Sequence, residues 1–467
     1  MVVGEVPEGL DLLVVGAGPG GYMAALRAAR SGREVTLVDR EGTAGIGGVC
    51  LRTGCIPSKA LIEVADAVSR TSTLASAGLQ YECMSVDLAV FQCFKDLLVQ
   101  RLGKAVCDQL DAAGVRVLTG RFCFTRPGQA ALLREDGGPS RFVEFRDVIL
   151  ATGSRPRQLA QLARDGKQVL DSADVLALSA VPPSAGVIGG GCVGVELATA
   201  LAKLGTRVTI VEAEDRLLPM MDAAVAPPVA RRLAALGAKV LVRAQVSDYD
   251  GARLKITTAQ GSHIVEAAVV IVAVGRRPNT DDLGLELIGA RPGANGLLPV
   301  GPDRRISAHI AAIGDITPGP AVAHKATAEA EVAADAVCGR PAAFNPSAIP
   351  VVVFGDPEVA VAGLSADEAR TAGIVVRTAR VPVSASSRAA TMGADQGFVR
   401  LVIDADADAV VGAQVVAPHA SELIGEAALA IEMAASPTDL AAVLHPHPTL
   451  SELVSASARQ GSSTKPE

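Results

Sequence analysis

Two cysteines stand five residues apart in Cys50-Leu-Arg-Thr-Gly-Cys55, directly after the glycine pair Gly47-Gly48. On a regular helix, five residues span about 7.5 Å along the axis, whereas a disulfide needs Cα atoms about 4.4–6.8 Å apart. A bridge here therefore requires a distorted turn, which Gly54 permits. A strained bridge is easier to reduce than a structural one, which suits a catalytic dithiol. The competing reading is two unrelated thiols, since six other cysteines (83, 93, 107, 123, 192 and 338) are scattered singly. Lys59, one helical turn beyond Cys55, could stabilise a thiolate. A second group lies near the C-terminus, in His445-Pro-His447-Pro-Thr-Leu-Ser-Glu452. The chain has 6 histidines, so two within three positions stand out. An imidazole held by Glu452 would be a general acid–base for thiol chemistry. A pair of surface histidines in a proline-rich loop explains the same residues equally well.

These groups need elements to position them. From Leu12 to Asp39 a short apolar run ends in Gly16-x-Gly18-x-x-Gly21, a helix-period segment reaches Gly32, and a β-branched run ends at Asp39. This is a βαβ unit with the dinucleotide fingerprint. Its glycines allow a tight turn and close approach to a pyrophosphate at a helix N-terminus, and Asp39 lies where a carboxylate accepts a ribose hydroxyl. The segment Val187 to Glu212 repeats the pattern: Gly189, Gly191 and Gly194 match the first three glycines at a constant offset of about 173 residues, as Glu212 matches Asp39. Two cassettes in one register indicate an internal duplication with two nucleotide-binding domains. The cysteine pair just beyond the first cassette then reads as a dithiol.

The rest of the chain is also α/β. Helical periodicity covers about 58–77, 88–113 and 324–337, and strand-like runs end at Ala151, Val274 and Ile313. After Pro346 strands alternate with helices at about 365–372 and 421–434, a third, α+β domain, and the last dozen residues read as a frayed polar tail. With 467 residues, 49% hydrophobic and 20% charged, the chain is globular and multidomain. A net charge of −7 argues against a nucleic-acid backbone as partner. No apolar run approaches the ~18–20 residues of a membrane span, and the opening MVVGEVPEGLD has no basic region of a signal peptide. The expectation is a soluble cytoplasmic protein with no metal site.

Taken together, GAGPGG, GGVCLRTGCIPSK, ATGSRP, GGGCVGVE, VGRRPN, AIGD with AHKA, and HPHPTLSE resemble the pyridine nucleotide–disulfide oxidoreductases along essentially the whole chain. Within that family the likeness is greatest to the flavoprotein component of 2-oxo acid dehydrogenase complexes. The resemblance implies two Rossmann-like FAD- and NAD-binding domains plus a C-terminal α+β dimerisation domain. FAD would be bound by 1–153 and 274–346, NAD by 154–273, and 347–467 would form the homodimer interface. It implies oxidation of protein-bound dihydrolipoamide with reduction of NAD, the partner being a lipoyl-bearing acyltransferase. Gly16, Gly18, Gly21 and Asp39 would hold the ADP half of FAD and Asp315 its ribityl chain. Thr152, Gly153, Ser154 and the run Ala321, Val322, Ala323 and His324 would complete that site. Lys59 would sit at the isoalloxazine, paired with Glu196. Gly189, Gly191, Gly194, Glu212, Val246 and Gly275 would serve NAD. Cys55 would face the flavin as a thiolate while Cys50 exchanges with substrate. His447, oriented by Glu452, would act in the partner subunit's active site.

The choice of nicotinamide has a physical basis. Glu212 can accept both ribose hydroxyls of NAD, whereas a 2′-phosphate would meet Glu212, Glu214 and Asp215 with only Arg216 in favour. That counts against the alternative of another NAD(P)H-dependent disulfide reductase of the family, of the glutathione, mycothiol or mercuric type. A mainly docking role without redox chemistry is disfavoured by retention of both cysteines, His447 and Glu452.

Overall fold

The computed structural model describes residues 7–82, 84–134 and 137–463; Cys83 and the last four residues of the expected tail lie outside them. The chain divides into two compact units. The first comprises Met1–Ser58, Gln92–Pro156 and Arg276–Asn345; the second comprises Lys59–Phe91, Arg157–Gly275 and Pro346–Glu467.

The first unit is built on a parallel sheet ordered Arg116–Thr119, Val35–Asp39, Glu8–Val15, Arg141–Leu150 and Ile310–Ala312. The second half of its central strand, 12–15, is apolar without alternation, and Leu12, Leu13 and Val14 are fully buried. That pattern is what a parallel strand covered on both faces demands. Burial of each such side chain contributes about 1.5–3 kcal/mol. The helix Pro19–Arg30 follows the central strand and packs small residues, Ala24, Ala25 and Ala28, beneath the sheet.

The second unit repeats this plan. Its parallel sheet runs Lys239–Leu241, Arg207–Val211, Ser184–Ile188, Val269–Val272 and Val169–Leu170, with the helix Cys192–Lys203 after the central strand. The duplication read from glycine spacing therefore extends to the order of four strands; the fifth differs, since Ile310–Ala312 follows the other strands of its sheet in the chain and Val169–Leu170 precedes them. A three-stranded antiparallel sheet, Ala244–Tyr249, Arg253–Thr258 and Gly261–Glu266, is appended to it. The C-terminal segment of this unit forms a five-stranded antiparallel sheet, Val351–Val353, Glu358–Gly363, Ala409–Ala417, Phe398–Asp404 and Val376–Pro382.

The helices expected at about 58–77 and 88–113 are Cys55–Leu74, ending in a tight turn at Ala75–Ala77, and Leu88–Ala112. The expected tail is a correction. A helix runs through Glu452–Ser463, and Val454, Ser457 and Ala458 are buried in it. Its polar composition misleads because Ser457 donates to the Ala379 carbonyl at 3.0 Å. At Gly461 a Cβ would lie 2.7 Å from the Ile403 side chain, so glycine lets this helix approach the sheet closely.

Candidate functional site

The two nucleotide cassettes are the same to within tenths of an ångström where it matters. Gly16 and Gly189 have φ of +100° and +104°, and a Cβ on them would lie 2.3 and 2.5 Å from the carbonyl oxygens of Ala151 and Ala273. At Gly21 and Gly194 a Cβ would lie 1.7 and 1.9 Å from the oxygens of Gly16 and Gly189. These four glycines serve the fold. Gly18 and Gly191 differ: each has extended backbone, and a Cβ there would meet nothing within 4 Å. The helices they open have no side-chain cap. Open space in front of uncapped first-turn N–H groups fits the pyrophosphate of a dinucleotide.

The carboxylates that close the cassettes do more than the sequence suggests. Asp39 accepts from the Ala17 N–H at 2.9 Å and the Glu41 N–H at 3.0 Å. Glu212 accepts from Gly190 at 2.5 Å and Glu214 at 2.8 Å, the matching positions of the second copy. Each carboxylate thus clamps its own glycine loop and has only its remaining lone pairs left to accept from a ligand hydroxyl. Around Glu212, the sequence alone suggests Arg216 as the nearby cation. Arg243 is also there, 4.0 Å from Asp215, and Arg216 donates to the same carboxylate at 3.0 Å. Asp215 thereby offsets both. Val246 is buried in the apolar core, so only its main chain is available to a ligand. Gly275, at φ +101°, accepts from the Arg157 N–H at 3.0 Å.

The dithiol segment is stitched onto the first fingerprint. Gly47 donates to the Ala17 carbonyl at 2.9 Å, and a Cβ on Gly48 would lie 2.7 Å from the Gly18 Cα. Cys50 lies on the short helix Gly48–Arg52, and Cys55 opens the helix Cys55–Leu74. They are therefore on two helices, not one, so the axial spacing of a single regular helix does not apply to them, and both cysteines are thiols in this structure. Gly54 is required by contact, since a Cβ there would lie 2.8 Å from the Val49 carbonyl oxygen. Cys55 is exposed at the positive end of a 20-residue helix, which favours a negatively charged sulfur. Burial, and then the nearby Cys50, push the Tyr22 phenol upward.

Also in the first unit, Thr152 and Gly153 form a turn braced by Asn279, whose side chain donates to the Thr152 carbonyl at 2.9 Å. Ser154 donates to Asp315 at 2.6 Å and accepts from Arg276 Nε at 2.7 Å. Ala321 and His324 are exposed and Val322 and Ala323 half-buried at the uncapped start of the helix Ala323–Val337.

In the second unit, Lys59 Nζ lies 2.9 Å from Glu196 Oε2, and Glu196 Oε1 accepts from the Phe354 N–H at 2.9 Å. The Phe354 ring lies 4.2 Å from the Lys59 ammonium, a cation–π contact. Cys192 is beside this group, and burial pushes its thiol up to about 11, with the Glu196 charge adding to the effect.

His447 Nδ1 is 2.9 Å from Glu452 Oε1, and Glu452 Oε2 accepts from the Thr449 N–H at 2.9 Å. The Thr449 N–H first, and then His447, hold the Glu452 carboxyl below the usual carboxylate range. A carboxylate on Nδ1 fixes the tautomer that leaves Nε2 as the base, and the ring is 73% exposed. His445 is the opposite: 7% exposed, with Nε2 3.0 Å from Glu426. The structure thus separates a presented imidazole from a buried one. Sequence reasoning missed Phe354, Arg243 and Glu426, because no motif spacing ties them to their partners.

Among the described residues no helix is long and apolar enough to cross a membrane, and no three His, Cys, Asp or Glu side chains are grouped to hold a metal. The model of the family described as pyridine nucleotide-disulphide oxidoreductase matches residues 10–330, and that of its dimerisation domain matches 349–458. The chain is 41% identical over 465 residues to dihydrolipoyl dehydrogenase 2 of Haloarcula marismortui, covering 98% of each chain. It is 40% identical to dihydrolipoyl dehydrogenase of Geobacillus stearothermophilus over 98% of this chain and 97% of that one. Among solved structures, LpdA from Mycobacterium tuberculosis superposes with a TM-score of 0.87 at 30% identity, over 96% of this chain and 99% of that chain.

Proposed function

Because the chain belongs to the pyridine nucleotide-disulphide oxidoreductase family, we propose that it oxidises protein-bound dihydrolipoamide to lipoamide and reduces NAD to NADH. The observation that carries this reading is the dithiol segment packed on the first of two dinucleotide loops, Gly48 against Gly18, within one unit. When bound, FAD would supply the two-electron redox chemistry that links the dithiol to NAD. Gly16, Gly18, Gly21 and Asp39 hold its ADP half, and Asp315 with Thr152, Gly153, Ser154 and residues 321–324 holds the remainder. Gly189, Gly191, Gly194, Glu212 and the Val246 and Gly275 backbone hold NAD.

In the thiol half of the reaction, His447 Nε2 takes the proton of a substrate thiol. The thiolate attacks Cys50 Sγ and breaks the Cys50–Cys55 bond, giving a mixed disulfide and a Cys55 thiolate. The second substrate thiol then closes the lipoamide ring and expels Cys50. The substrate loses two electrons and two protons, and the protein disulfide becomes a dithiol. The Lys59–Glu196 pair places a cation one turn along the helix that Cys55 opens. In this reading the chain works as a cytoplasmic homodimer, with His447 serving the partner's cysteines, and its macromolecular partner is the lipoyl-bearing acyltransferase of a 2-oxo acid dehydrogenase complex. Anaerobic stopped-flow of the purified flavoprotein tests it: dihydrolipoamide with NAD should turn over and NADPH with oxidised glutathione should not. The reverse pattern would refute it.

A further inference from the structure

Lys325 and Glu329 face each other one turn apart on the helix Ala323–Val337, with side chains 1% and 0% exposed and 3.3 Å between Nζ and carboxylate. Arg304 Nη1 donates to the same carboxylate at 2.9 Å. Such a buried group of charges is weak evidence for stability, since apolar residues of the same volume often serve as well. Its hydrogen bonds show where it acts instead. Glu329 Oε2 accepts the Gly314 N–H at 2.7 Å, and Lys325 Nζ donates to the Gly314 carbonyl at 2.9 Å. Thr317 Oγ1 accepts from Lys325 at 2.9 Å and lies 2.8 Å from the Gly314 oxygen. Both polar backbone groups of one residue are thus held by one ion pair. That residue has φ +78° and directly precedes Asp315, whose carboxylate accepts from Ser154. Burial lowers the pKa of Lys325, while the negative charges of Glu329 and Asp315 oppose that shift.

The pair therefore joins two segments that the functional reading gives to FAD: the Gly314–Asp315 turn and the first turn of the helix Ala323–Val337. We propose that Lys325 and Glu329 are positioning residues for FAD, fixing Asp315 relative to residues 321–324 so that both meet the cofactor in a preset geometry. A surface ordered before binding avoids that ordering cost on association. The proposal rests on the reading that this unit binds FAD through Asp315.

A double-mutant cycle tests it. FAD affinity of the apo full-length chain is measured by fluorescence titration, and its thermal midpoint alongside, for Glu329→Gln, Lys325→Met, Asp315→Asn and each combination with Asp315→Asn. Glu329→Gln keeps the volume and an acceptor for Gly314, and it decides the question if Lys325→Met does not fold. The expected result is FAD affinity about tenfold weaker for Glu329→Gln but changed less than about twofold by the same substitution in the Asp315→Asn background, because coupled residues are not additive. Additive losses, or wild-type affinity in Glu329→Gln, would overturn the proposal. Wild-type FAD affinity in Asp315→Asn alone would overturn the Asp315 reading and the proposal with it.

Discussion

Replacing Gly18 by alanine separates what the fold needs from what the ligand needs. Gly18 has φ −66° and ψ −178°, and a Cβ there meets nothing within 4 Å. The apo fold should scarcely notice: reduced unfolded-state freedom contributes about 0.4–1 kcal/mol, roughly offset by alanine's poorer performance at a helix N-cap. The methyl group instead enters the space in front of the uncapped first-turn N–H groups. Hydrogen bonds to a charged group contribute about 1.5–3 kcal/mol each, so losing one to a pyrophosphate weakens FAD by about 10- to 150-fold. Two controls sharpen the test. Gly16→Ala, at φ +100° and 2.3 Å from the Ala151 oxygen, should damage the fold itself; the backbone conformation alone costs about 1–2 kcal/mol. Gly191→Ala, with φ −75° and equally open space, should raise KM for NAD and leave FAD bound. The assays are fluorescence titration of apo-protein with FAD, steady-state KM for NAD, and thermal denaturation of each apo variant. Wild-type FAD affinity in Gly18→Ala, or a Gly191→Ala protein that loses FAD and keeps NAD, would refute the assignment of the two cassettes.

His447→Gln should slow dihydrolipoamide oxidation by ~10²–10⁴-fold while NADH-to-dye transfer persists. His445→Gln, whose ring is buried against Glu426, should lower the thermal midpoint more than it lowers turnover; the opposite ranking of the two histidines would overturn their roles. Glu212→Arg should raise KM for NAD about tenfold or more, because it removes the clamp on Gly190 and Glu214 along with a ribose acceptor, and equal wild-type rates with NAD and NADP would contradict the electrostatic argument. Cys192 should stay a neutral thiol until the pH nears about 11, since burial penalises the thiolate. Iodoacetamide at pH about 8, below the ordinary thiol pKa range, should therefore label exposed Cys93 and spare Cys192, and equal labelling would refute this.

The features legible in the sequence are those fixed by local backbone geometry. The fingerprint glycines are set by turns and close approaches, so their spacing alone reveals two cassettes, and the structure extends the match to the order of four strands in each sheet. His447 and Glu452 were legible because five residues and a helix start bring them together. Long-range partners were not: Phe354 meets Glu196 across 158 residues and Arg304 meets Glu329 from outside any motif. The C-terminal helix misleads because, beyond Leu453 and Val454, its buried face is made of Ser455, Ser457, Ala458 and Gly461, residues that imitate a polar tail. Arg243 escaped because the turn that carries it to Asp215 depends on strand pairing between Arg207–Val211 and Lys239–Leu241.

If electrons leave dihydrolipoamide through Cys50 and Cys55, NADH formation requires the Cys50 thiol. Anaerobic mixing of the Cys50→Ser flavoprotein with dihydrolipoamide and NAD, beside the wild type, decides this. The variant should keep its FAD and its NADH-to-dye activity and form no NADH from dihydrolipoamide, whereas the wild type should form it rapidly. NADH formation by Cys50→Ser at the wild-type rate would contradict this route.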